Sequence, residues 1–105
     1  MASDKKSLSF KDLISSETPV LIDFYADWCG PCKAYAPILD LLKKAVGDEV
    51  RIVKIDVDRN QALSMKLGVQ SIPTTMIFQS GDLKWRGMGV HSVESLKGEL
   101  EKLGA

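Results

Sequence analysis

Histidine and cysteine are scarce in this sequence: its 105 residues hold one histidine, His91, and two cysteines, Cys29 and Cys32. A structural zinc site needs four ligands, so on ligand count no metal is expected. A cysteine-protease pairing is no better supported. His91 directly precedes Ser92, a candidate helix cap, and reads as an ordinary surface histidine. Nor is there a disulfide framework, because two cysteines three positions apart close a loop too short to constrain the unfolded chain much. Excess charge is also missing. Lysine plus arginine and aspartate plus glutamate both total 14, so the formal net charge is zero and no long-range field gathers nucleic acid or an anionic membrane. No apolar run approaches the roughly 18 residues of a membrane span, and no apolar stretch follows the charged start at Met1 to Lys6, as a secretory leader would require. The expectations are no membrane, no nucleic acid and a cytoplasmic location.

What is present is an ordinary globular composition, 45% hydrophobic and 27% charged, without repeats, linkers or low-complexity segments. A chain of this length buries roughly 60 to 70% of its unfolded surface, enough for one core, so a single domain over residues 1–105 is expected. Val20 to Tyr25 is a nearly continuous apolar run with β-branched and aromatic residues and reads as a buried central strand. Tyr35, Leu39, Leu42 and Val46 then recur at helical spacing, with Ile38, Leu41 and Ala45 widening the stripe, Pro37 set to kink the helix and Gly47 closing it. Val50 to Asp56 predicts a second strand, parallel to the first because a helix crosses between them. Asn60 can cap a short helix running to about Leu67 and stopped by Gly68. Thr74 to Gln79 and Leu83 to Met88 flank the turn signal Ser80-Gly81-Asp82 and predict an antiparallel hairpin. Val93, Leu96, Leu100 and Leu103 form the inner stripe of a last helix capped by Ser92. The order β-α-β-α-β-β-α describes an α/β protein, with a mixed sheet and helices on both faces.

The chemistry concentrates in Trp28-Cys29-Gly30-Pro31-Cys32. Cys29 falls just past a buried strand, and Pro31 suits the first turn of the following helix, where its missing donor costs nothing. At such a helix start, unpaired backbone donors and the positive end of the helix dipole favour a thiolate over a thiol. Cys32, one turn in, is expected to be the more buried of the two. With two residues between them both sulfurs stay within bonding reach, so a Cys29 thiolate can attack a disulfide and Cys32 can resolve the resulting mixed disulfide. A purely structural pair would not need a strand, a helix start and a proline arranged around it. Asp23 interrupts the buried run, where an unpaired carboxylate is expensive and where burial raises its pKa. A hydrogen-bonded structural role is its bland alternative. Lys54 is polar within the next strand, and its plain reading is a solvent-facing lysine.

Trp-Cys-Gly-Pro-Cys-Lys after an Asp-containing strand, with Ile72-Pro73-Thr74 downstream, resembles the thioredoxin family, and the resemblance runs from about Phe10 to Leu103. It implies the thioredoxin fold, with four to five strands in the sheet, and disulfide reduction in client proteins. Cys29 would be the nucleophile, Cys32 the resolving thiol and Asp23 its proton acceptor, with Lys54 moderating the aspartate. It also implies a cis Ile72-Pro73 bond in a loop facing the cysteines and offering the Ile72 backbone to an extended peptide. Trp28, Gly30, Pro31, Ile72, Pro73 and Gly89 would form the substrate-binding surface, and Asp58 would fix the Trp28 indole. No cofactor of its own is implied; the disulfide would be recycled by thioredoxin reductase, drawing on NADPH, and the protein would act as a monomer. Gly-Pro between the cysteines is similar to the reducing members, whereas oxidants and isomerases of this fold carry histidine there. An oxidant or isomerase, and a non-catalytic binding subunit, are the competing hypotheses.

The sequence also departs from the family. Met1 to Ser7 is polar where an apolar first strand is usual, so that edge strand is expected to be missing or reduced, or the segment to be disordered. Tyr25 stands where tryptophan is common. Ala34 and Tyr35 replace larger aliphatic residues and are expected to reshape the surface near the cysteines. Trp85 has no family counterpart, and suggests a covering side chain or a partner contact.

Overall fold

The computed structural model describes residues 9–105. Its elements are α1 (Phe10–Ile14), β1 (Val20–Tyr25), α2 (Gly30–Val46), a 3₁₀ turn (Gly47–Glu49), β2 (Arg51–Asp56), α3 (Gln61–Lys66), β3 (Thr74–Gln79), β4 (Asp82–Met88) and α4 (Val93–Glu101). Among the described residues there is one sheet of four strands in the order β2-β1-β3-β4, with β1 parallel to β2 and the other neighbours antiparallel. The expectation about a first edge strand falls on residues outside those described.

Alternation along β1 divides the interior in two. Leu21 packs with Ile77 against Tyr35, Leu39 and Leu42 of α2 and Leu96 and Leu100 of α4. Val20, Ile22 and Phe24 pack with Met76 and Phe78 on the opposite face, covered by Phe10, Leu13 and Ile14 of α1 and by Leu67 and Val69 around the end of α3. The sheet is thus covered by helices on both faces. Leu96 and Leu100, almost wholly buried, each contribute roughly 2 kcal/mol of apolar burial, and Ser92 starts their helix by accepting the Ser95 N–H at 3.1 Å.

Local chemistry accounts for most boundaries and corrects several expectations. α1 was not anticipated from residue pattern, although Ser9 followed by Asp12 is a capping signal: Ser9 Oγ accepts the Asp12 N–H at 3.1 Å. The buried stripe of α2 is narrower than its periodicity suggests, since Leu41 is 57% exposed and Ala45 is also exposed, while the helix continues through Pro37. Asn60 stands at the start of α3 but does not cap it; its amide donates instead to the Asp56 carbonyl at 2.9 Å. The opposite end of α3 is held from outside by Arg86, whose guanidinium donates to the Leu67 and Gly68 carbonyls, both at 2.6 Å. A register shift between Ile77 and Phe78 leaves Lys84 unpaired and brings Trp85 opposite Ile77, on the side of the α2–α4 core.

Candidate functional site

The end of β1 and the start of α2 deliver the two cysteines. Cys29 is the N-cap residue, with extended backbone angles, and Pro31 lies in the first turn. Cys29 Sγ accepts the Cys32 backbone N–H at 3.1 Å, so the sulfur takes up one of the helix's otherwise unpaired donors. The two sulfurs are joined in a disulfide with Cα atoms 5.2 Å apart. Once reduced, a sulfur at this position is stabilised as thiolate by that N–H and by the positive end of a 17-residue helix.

The expected difference in burial between the cysteines is absent: Cys29 is 4% exposed and Cys32 is 6%. Cys29 is covered by the Ile72 loop. Its sulfur lies 3.8 Å from the Ile72 carbonyl oxygen, a contact in which only the reduced thiol has a proton to donate. Cys32 opens instead on a cavity of about 160 Å³ lined by Tyr25, Ala26, Asp27, Lys33, Ala36 and Lys54.

Asp23 is 1% exposed, and the described residues supply no hydrogen-bond partner to either of its carboxylate oxygens. Burial raises its pKa from 3.8 to about 6, against a smaller downward pull from the Lys54 ammonium. Lys54 is its register partner on β2 and also faces solvent, with Nζ 4.9 Å from the centre of the Tyr25 ring, so both sequence readings of this lysine describe it. Across the other edge of β1, Asp23 pairs with Thr75.

Tyr35 corrects another expectation. It is fully buried and does not shape the surface; its hydroxyl lies 2.9 Å from Thr75 Oγ1, while Ala34 is exposed. Burial raises the phenol pKa, the bond to Thr75 lowers it and the Asp23 charge raises it. Residue pattern marked Tyr35 only as core stripe; a hydroxyl at a core position, with Thr75 inside a buried strand, was the available signal of a polar pair.

The surface beside the cysteines is largely apolar. Trp28 is 70% exposed, and its indole N–H donates to Asp58 Oδ2 at 2.8 Å. Asp58 is steadied in turn by its backbone N–H, which donates to Asp56 Oδ1 at 2.9 Å. A groove of about 180 Å³ runs between Trp28, Val57 and the segment 69–72. The Ile72–Pro73 bond is cis, Pro73 is buried, and its carbonyl accepts the Gly89 N–H at 2.8 Å. Gly89 has φ +83°, a conformation that favours glycine. Gly30 and Pro31 are exposed on the helix start. Met88 and Val90, which sequence reasoning passed over, flank Gly89 and are 69% and 47% exposed; their place on either side of a candidate site glycine was the clue.

His91 is not an ordinary surface residue. Its ring stands edge-on to Trp85 with centroids 5.0 Å apart, and Nε2 is buried with no hydrogen-bond partner among the described residues. Trp85 covers the α2–α4 core, as one of its two readings held. Among the described residues no three histidine, cysteine, aspartate or glutamate side chains cluster as a metal site, and no helix is long and apolar enough to cross a membrane.

Comparison with known proteins agrees with this geometry. The thioredoxin family model matches residues 2–102. A thioredoxin of Rickettsia typhi is 38% identical over 103 residues, covering 97% of this chain and 98% of its own. One of Bacillus subtilis is 46% identical over 88 residues, covering 84% and 85%. Among solved structures, oxidised mitochondrial thioredoxin 3 of Saccharomyces cerevisiae superposes with a TM-score of 0.80 at 34% identity, covering 89% of this chain and 86% of that one. Fold, cysteine geometry and sequence therefore agree, and the chain belongs to the thioredoxin family of protein thiol-disulfide oxidoreductases.

Proposed function

We propose that the Cys29-Cys32 dithiol reduces disulfides in client proteins. The carrying observation is Cys29 at the N-cap of α2 with its sulfur on the Cys32 N–H, beside an exposed indole and an apolar groove. The Cys29 thiolate attacks one sulfur of the client disulfide; a new S–S bond forms, the client bond breaks and the first client thiolate leaves. Cys32 loses its proton to Asp23 and attacks Cys29 Sγ, expelling the second client thiolate, which Asp23 can reprotonate. Two electrons pass to the client and Cys29-Cys32 becomes the disulfide.

In this reading Lys54 holds the Asp23 proton affinity in a usable range, and Asp58 orients the Trp28 indole. Trp28, Gly30, Pro31, Ile72, Pro73 and Gly89 form the docking surface. Ile72 stands just before β3, where its backbone can pair with an extended client segment, which gives affinity tolerant of client sequence. A flavoprotein thioredoxin reductase, drawing on NADPH, restores the dithiol. The protein works in the cytoplasm, as a monomer and as one domain over residues 1–105.

The test is the equilibrium reduction potential of the pair in a glutathione buffer. A value well below the glutathione poise is expected; one near the oxidising folding catalysts would overturn the reductant reading. Replacing both cysteines by serine should abolish biological activity, and full retention would favour a non-catalytic role.

A further inference from the structure

The exchange cycle leaves one buried pair of hydroxyls unused. Tyr35 on α2 and Thr75 on β3 are both 0% exposed, and their oxygens lie 2.9 Å apart. Two hydroxyls carry two protons and share a single bond, so one proton is spare. The phenol is much the stronger acid and therefore the better donor, which leaves the spare proton on Thr75. Thr75 is the antiparallel register partner of Asp23. Their side chains leave the same face of the sheet with Cβ atoms roughly 4.5 to 5.5 Å apart.

Among the described residues, β2 brings Lys54 and α2 brings Tyr35 within electrostatic reach of Asp23, Tyr25 follows on the same strand, and Cys32 lies one turn before Tyr35 on α2. Neither Asp23 oxygen has a hydrogen-bond partner among the described residues, so Thr75 is no direct donor at this separation. It can still act as an oriented dipole, and at a site this buried such a dipole is little screened.

We infer that Tyr35 and Thr75 are positioning residues for Asp23: the phenol donates to the threonine hydroxyl, and the threonine proton so freed turns toward the carboxylate and stabilises its ionised form. This rests on the reading of Asp23 as proton acceptor. Its consequence is that the pair lowers the pH at which Cys32 can pass its proton on. Because Tyr35 acts only through Thr75, the two hydroxyls work in series.

The test is a titration of the Asp23 carboxyl carbon by NMR in the oxidised protein, together with the pH profile of mixed-disulfide resolution. Thr75→Val should raise the Asp23 midpoint by roughly half a pH unit, Tyr35→Phe should raise it by less, and Thr75→Ser should restore it. The double variant should shift no further than Thr75→Val alone. An unchanged or lowered midpoint in Thr75→Val, or additive shifts in the double variant, would overturn the inference. If Thr75→Val fails to fold, Tyr35→Phe decides in the same way, because it removes only the phenol oxygen. Asp23→Asn separates the two layers: an unaltered resolution profile there would remove Asp23 from the chemistry, whereas the NMR midpoints judge the hydroxyl pair independently.

Discussion

Replacing Asp23 by asparagine tests the electrostatics of the site through folding stability. In the native protein burial holds the Asp23 pKa at about 6, against 3.8 for an ordinary aspartate. Between those two values the native state keeps a proton that the unfolded chain has released. The native state therefore binds more protons, and stability falls as pH rises. The pH-dependent cost of Asp23 is small below about pH 4, grows up to about pH 6 and is constant above it. A difference of about two pH units, at 1.36 kcal/mol each, comes to about 3 kcal/mol.

The asparagine side chain carries no charge at any of these pH values. The stability of Asp23→Asn minus that of the wild type should therefore climb by about 2 to 2.5 kcal/mol between pH 4 and pH 7, roughly 8 to 20 °C in Tm for a domain of this size. Exchanging a carboxylic acid for an amide adds an offset, but one that does not vary with pH. Guanidinium unfolding of the oxidised proteins at several pH values measures the difference, and keeping Cys32 in its disulfide removes that thiol from the titration. A stability difference flat from pH 4 to pH 7 would refute the assignment of a raised pKa to Asp23.

Three further outcomes are expected. Gly87→Ala places a methyl group 2.5 Å from the Trp85 ring and 2.6 Å from His91 Nε2; it should cost about 1 to 3 kcal/mol by overpacking and alter Trp85 fluorescence, so an unchanged Tm with unchanged emission would contradict it. Arg86→Ala removes both guanidinium donors from the Leu67 and Gly68 carbonyls and should cost about 1 kcal/mol, since the arginine is exposed, with faster hydrogen exchange confined to the end of α3; uniform exchange rates would contradict that placement. Asp58→Ala frees the Trp28 indole and should raise KM for a protein disulfide about fivefold, the equivalent of one lost hydrogen bond, while leaving the rate with a small aromatic disulfide unchanged; equal losses with both substrates would place Asp58 in the chemistry instead.

How far the sequence reaches can be judged residue by residue. β1, α2, the hairpin and α4 were legible because each couples an apolar period to a punctuating residue: Pro19 before β1, Gly47 after α2, Gly81 in the turn, Ser92 before α4. α1 escaped because five residues hold too few turns to show a period, and only its cap betrays it. Cys29 and Cys32 could be found from spacing, since chemistry on one helical turn is local. Their nearly equal burial could not, because the cover over Cys29 comes from Ile72, 43 positions away. Tyr35 with Thr75, Trp85 with His91, and Arg86 with the end of α3 depend in the same way on contacts made by the tertiary fold. The Lys84 bulge that turns Trp85 inward leaves no mark in residue type, so its side chain kept two readings until the register was known.

The two faces of the sheet carry different burdens. Against α1 every buried residue of the cluster is apolar: Val20, Ile22 and Phe24 from β1, Met76 and Phe78 from β3, with Phe10 edge-on to Phe78. Against α2 the strand positions between Leu21 and Tyr25, and between Ile77 and the loop at Pro73, are Asp23 and Thr75, and the helix sets Tyr35 over them. Burying those groups sacrifices stability, and Asp23 alone costs about 3 kcal/mol when ionised. A domain of this size has only about 5 to 15 kcal/mol to hold it folded, so a second such carboxylate on the α1 face would be hard to sustain. The opposite face also buries a hydroxyl, that of Thr74 beside Phe24, but it donates to the Ser71 carbonyl at 2.6 Å, so the unpartnered carboxylate lies beneath the helix that presents Cys29 and Cys32, where the proposed exchange cycle would use its proton, while the α1 face supplies cohesion.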